Sequence, residues 1–131
     1  MEDLEFSDEF CRFIQSTIPT VEAAEVLLLL RSESDRWWDG AGAAGALSGT
    51  RLAEGDWARL VELWQTRGLI AVAPDKRIQF HPADADLAAH ADRLALAYSE
   101  RPVTLIRMIY ALRDTRIRSF ADAFNLRKRP A

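Results

Sequence analysis

The chain of 131 residues has one cysteine, Cys11, so it forms no internal disulfide, and no Cys/His pairs fall at zinc-ligand spacing. Lysine is nearly missing: arginine supplies 15 of the 17 basic residues, with only Lys76 and Lys128 besides, a usage expected of a GC-rich bacterial genome. Long apolar runs are also lacking. The most apolar stretch, Val26 to Leu30, is far short of the roughly 20 residues a membrane-spanning helix needs. The start, Met-Glu-Asp-Leu-Glu, is acidic where a signal peptide or presequence is basic, so the expected location is the cytoplasm, with no membrane contact. There is no Gly-rich phosphate loop, no Gly-x-Ser-x-Gly and no His spaced to serve a nucleophile, and the expectation is a protein without catalytic activity or cofactor.

What is present is ordinary in amount and uneven in distribution. A 49% apolar and 28% charged composition fits one globular domain with a real core. Residues 1 to 33 hold eight acids against two bases, and residues 101 to 131 hold two acids against eight bases. Ends of opposite sign can pair within a monomer or across a dimer, and a basic end can also meet nucleic acid.

The apolar spacing predicts a mainly α-helical chain with one small β-hairpin. Ser7 caps a first helix whose Phe6, Phe10, Phe13 and Ile14 form a stripe with Cys11 at its edge, and Pro19 ends it by disfavouring helical geometry at Ile18. A second helix, Val21 to Arg31, is apolar nearly all round and is expected at the centre, with Glu22 and Glu25 on its wet side. Arg36-Trp37-Trp38 reads as a short strand, Asp39 as the cap of a helix weakened by Gly40, Gly42 and Gly45, and the tryptophans as core. From Leu52 to Arg67 a helix carries Trp57, Leu60, Val61 and Trp64 at i, i+3, i+4 and i+7, and Gly68 follows as its C′ residue. Residues 69 to 73 and 77 to 81 alternate around Pro74-Asp75-Lys76 as a hairpin. Asp84 and Asp86 open a helix through Ser99, Pro102 opens another through Leu112, and Arg116 to Leu126 forms a last amphipathic segment before Arg127-Lys128-Arg129.

Residues 20 to 82, with Leu60-x-x-Leu63-x-x-x-x-Gly68-Leu69-Ile70 entering the hairpin, resemble the winged helix-turn-helix domains of bacterial transcription regulators. That resemblance implies a winged-helix domain over 20 to 82; the spacing adds an N-terminal helix over 1 to 19 and C-terminal helices over 83 to 131, whose wide apolar arc at 103 to 112 is expected to serve dimerisation. The resemblance implies DNA as partner, with the Leu52 to Arg67 helix in a major groove and the hairpin as wing. The expected contacts are Arg51, Arg59, Gln65, Arg67, Lys76 and Arg77, because arginine pairs bidentately with guanine and glutamine with adenine. Arg101, Arg107, Arg113, Arg116, Arg118 and the basic tail would add phosphate contacts if they share that surface.

Glu54, Asp56 and Glu62 lie on the same reading helix and oppose phosphate. They support the alternative of a winged-helix interaction module without DNA affinity. Its expected protein or homodimer interface is Leu52, Leu63, Val103, Ile106 and Ile109, since Leu63 falls off the Trp57/Trp64 face and the 103 to 112 helix is apolar on more than one side. His81, His90, Asp84 and Asp86 imitate metal ligands, but a strand-end and a helix-surface histidine are the expected identities, and no metal is expected.

Overall fold

A computed structural model describes residues 6–47 and 55–112. Helices α1 (Asp8–Thr17), α2 (Val21–Ser32), α3 (Gly40–Ala46) and α4 (Asp56–Arg67) precede strands β1 (Ile70–Val72) and β2 (Ile78–Phe80), and helix α5 (Ala85–Glu100) follows. A further helix, α6 (Pro102–Leu112), comes last among the described residues. The segment 116 to 126 and the basic tail lie outside them.

Local chemistry sets most of the boundaries. Ser7, Thr20, Asp39 and Asp84 each have extended backbone and accept a hydrogen bond from the N–H three residues on, at 3.1, 3.0, 2.7 and 2.9 Å. Each bond satisfies a donor that the helix's own ladder leaves open. Ile18, just before Pro19, leaves helical geometry at φ −122° and ψ 83°. Gly68 ends α4 in the left-handed region at φ 79°, its N–H bonded back into the last turn. At this position a Cβ would both strain the backbone and come within 3.2 Å of Ala83 Cβ.

One boundary differs from the sequence expectation. Helix α4 begins at Asp56 and not at Leu52, because Gly55 takes a left-handed φ of 92° that interrupts the helical path. The turn expected at Ser48-Gly49-Thr50, and Leu52 itself, lie outside the described residues.

Strands β1 and β2 pair antiparallel with Ile70 opposite Phe80 and Val72 opposite Ile78. The named strands are three residues each, but the bonding continues beyond them, from His81 N–H to Leu69 O at one end to Ala73 N–H to Arg77 O at the other. Trp38 adds a bridge on the other side of β2, exchanging bonds of 2.7 and 2.9 Å with Ile78. The small sheet therefore runs Trp38, β2, β1.

A single core passes through all the described elements, from Phe10 on α1 to Ile109 on α6. Helix α2 sits at its centre, with Ala23, Ala24, Val26, Leu27 and Leu30 buried. It is tied to α5 by Arg31, whose Nε and Nη2 donate to Asp92 Oδ1 at 3.0 and 2.8 Å. Trp64 is wholly buried, and its indole N–H donates at 2.8 Å to the carbonyl of Thr17, a helix-end acceptor of α1.

Tyr98 on α5 donates its hydroxyl proton to Glu25 Oε2 on α2 at 2.7 Å. That bond, then burial and the carboxylate's charge, push the phenol up to about 12. Because the folded value lies above the ordinary 10, this contribution to stability is complete below pH 10 and fades as pH rises toward 12. Tyr98→Phe is expected to cost about 1 kcal/mol at neutral pH and to flatten the stability profile between those pH values, read by urea melts at pH 8, 10 and 11.5.

Three expectations change on folding. Trp37 is not core: it stays exposed while Trp38 is buried, with the Arg36 guanidinium 3.7 Å over the Trp38 ring. His90 is not a free surface histidine: its ring is half-buried and stacks on Phe13 at 5.1 Å. Ile109 is 1% exposed and packs inward with Leu105, since α6 turns that side to the core. Cys11 is partly covered, its thiol 3.6 Å from Met108 Sδ on α6.

Candidate nucleic-acid interface

Helix α4 has two sides of different character. Leu60 and Trp64 anchor the inner one, with Trp57 and Val61 packed against the core beside them. Ala58, Arg59, Glu62, Gln65, Thr66 and Arg67 form the outer one, all exposed. Leu63 is half-buried between the two and, with Arg59, Glu62, Thr66 and Arg67, lines a shallow groove along the outer side. An apolar strip in a charged groove suits a thymine methyl or the aliphatic part of a protein partner.

The charge on this surface is balanced by neighbours. Arg59 lies 3.4 Å from Asp56 one turn earlier, and Glu62 lines the same groove as Arg59 and Arg67. The Arg59 side chain is 80% exposed, so its pair with Asp56 contributes little to stability and is easily exchanged for a phosphate.

The hairpin packs on α4 through β1 and carries its charges at the tip. Lys76 N–H closes a turn onto Ala73 O at 2.8 Å, and Lys76 itself takes a left-handed φ of 71°, the arrangement that a three-residue hairpin loop requires. Arg77 donates from its backbone N–H and from Nε to the Asp75 carboxylate, at 3.1 and 2.7 Å. Those bonds, the backbone one first, hold the Asp75 carboxyl below its ordinary range. Asp75 thus orients Arg77 while offsetting its charge, and Lys76 projects from the tip with no ion pair among the described residues.

Of the residues the sequence points to, Arg59 and Arg67 line the outer groove of α4, Gln65 is exposed on the same helix outside that groove, Lys76 and Arg77 share the hairpin tip, and Arg51 lies outside the described residues. The expected protein interface is divided. Val103 and Tyr110 are 60% and 55% exposed on α6 and Ile106 is half-buried between them, whereas Ile109 belongs to the core. Arg101 and Arg107 are exposed on or beside α6, and Arg113, Arg116 and Arg118 lie outside the described residues. The sequence reading singled out neither Arg12 nor Arg93. Arg12, on α1, lines a cleft together with Arg67 at the end of α4. No spacing rule signals that meeting, because it depends on how α1 packs on α4.

No group of three or more His, Cys, Asp or Glu is placed to hold a metal ion among the described residues. No helix among them is by itself long and apolar enough to cross a membrane. Comparison with known proteins finds no matching family, no matching curated protein and no matching solved structure.

Proposed function

We propose that the protein is a winged helix-turn-helix DNA-binding protein, a cytoplasmic transcription regulator without catalysis, with α4 as reading helix and the β1–β2 hairpin as wing. The observation that carries this reading is the two-sided α4: anchored beneath by Leu60 and Trp64, it leaves Arg59, Gln65 and Arg67 exposed to solvent. The order of elements supports it, since α2, the Trp38 bridge, α3, α4 and the hairpin follow the sequence of a winged helix and its three-membered sheet. In this reading Arg59 and Gln65 address base edges, while Arg67, Lys76 and Arg77 address phosphate. The protein acts as a homodimer through the outer side of α6, placing two reading helices about 34 Å apart on successive half-sites.

A second reading, an interaction module that binds another protein, draws on the acids of α4, Asp56 paired with Arg59 and Glu62 in the outer groove, and on the exposed Val103 and Tyr110. A gel-shift titration on a random duplex at low salt separates the two. Weak binding that falls steeply with salt is the expected result, because phosphate contacts release counterions whatever the sequence. No binding at low salt would leave the interaction module.

A further inference from the structure

We infer that the cleft between α1 and the C-terminal end of α4 is a further phosphate contact, in which Arg12 and Arg67 together hold one phosphodiester of the bound duplex. The inference rests on the DNA-binding reading above and extends its surface onto a helix that the winged-helix pattern did not implicate.

The polar groups lining the cleft are Glu9, Arg12, Ser16 and Thr17 of α1, Arg67 of α4 and His90 of α5. The donors can be assigned one by one. Ser16 and Thr17 donate their hydroxyl protons to Phe13 O, so neither hydroxyl is free to donate to an anion. His90 is turned against Phe13 and its Nδ1 is enclosed without a partner. Arg12 and Arg67 are the permanently charged donors of the cleft. Both are exposed, and neither has an ion pair among the described residues, in contrast to Arg59 and Arg77. Arg67 also lines the outer groove of α4 beside Arg59. It therefore joins the two surfaces, and the cationic track runs from Arg59 through Arg67 to Arg12. Two guanidinium groups beside one cleft suit the oxygens of a phosphodiester, to which arginine presents paired donors.

Among the described residues Glu9 is the one acid lining the cleft, and it gives the inference a test of sign. If a phosphate sits there, removing Arg12 weakens binding and removing the Glu9 charge strengthens it. The measurement is the affinity of the full chain for a random duplex over a range of salt, with wild type, Arg12→Gln, Arg12→Lys and Glu9→Gln compared after thermal melts show equal folding. Arg12→Gln is expected to weaken binding several-fold for every sequence and to reduce the salt slope by about 1. Arg12→Lys should restore most of the slope, and Glu9→Gln should tighten binding. An unchanged slope in Arg12→Gln, or weaker binding in Glu9→Gln, overturns the assignment while leaving the α4 reading intact. A wild-type chain that binds no duplex overturns both. Saturation of the cleft by inorganic phosphate, seen as Arg12-dependent NMR shifts alongside an unaltered duplex slope in Arg12→Gln, would replace the duplex by a small anion.

Discussion

Trp64→Ala should destabilise the protein by about 3–5 kcal/mol, a large fraction of the roughly 5–15 kcal/mol that holds a domain folded. The side chain is wholly buried, so truncation leaves a cavity under α4 and the lost area is not recovered by solvent. It also removes the indole donor of the 2.8 Å bond to Thr17 O and leaves a helix-end carbonyl of α1 unsatisfied in the interior. Trp64→Phe distinguishes the two parts. It keeps most of the apolar contact, and its cost of about 1–3 kcal/mol reports chiefly the stranded carbonyl. Urea midpoints at constant m value measure both. A loss below about 1 kcal/mol in Trp64→Ala would mean that this residue does not anchor α4.

Charge reversal of Arg59 and Arg77 together is expected to lower duplex affinity at least about 100-fold at low salt, since each reversal removes one contact worth about 1–3 kcal/mol and adds a repulsion. Folding should be untouched. Both side chains are more than half exposed and their partners, Asp56 and Asp75, are neighbours in sequence, so the ion pairs lost contribute little to stability. Glu62→Gln is the companion variant: it removes the acid that lines the groove with Arg59 and Arg67 and should tighten binding. Equal affinity for wild type and the double reversal, measured by fluorescence anisotropy, would remove α4 and the hairpin tip from the interface and shift the case toward a protein partner.

Much of the architecture is legible along the chain because it is set within a few residues. Ser7, Asp39 and Asp84 are caps by side-chain reach, Ile18 is non-helical because of the next residue, and Gly68 supplies a conformation that a Cβ resists. The hairpin follows from alternation around Pro74-Asp75-Lys76, and its bonded extent, Leu69 to His81, matches that alternation. The two-sided α4 follows from the spacing of Trp57, Leu60 and Trp64. Its start was not legible, because a glycine at position 55 is compatible with a helix interior until its φ is known.

The candidate site was legible only in part, for a different reason. On α6 apolar residues surround the axis, so periodicity offers no inner side. Packing against the core selects Leu105 and Ile109 and leaves Val103 and Tyr110 outside. Trp37 and Trp38 are the same residue type in adjacent places, and the bridge to Ile78 alone turns one of them inward.

Short-range chemistry thus sufficed to name the described helices, most of their ends and the hairpin, because caps, proline, glycine and apolar spacing act over one or two turns. The meeting of Arg12 with Arg67, the stacking of His90 on Phe13 and the choice of a covered side for α6 came from the fold. Those outcomes join residues distant along the chain, and which of several equally apolar or charged groups come together is settled by close packing of whole helices, for which no local pattern carries the information.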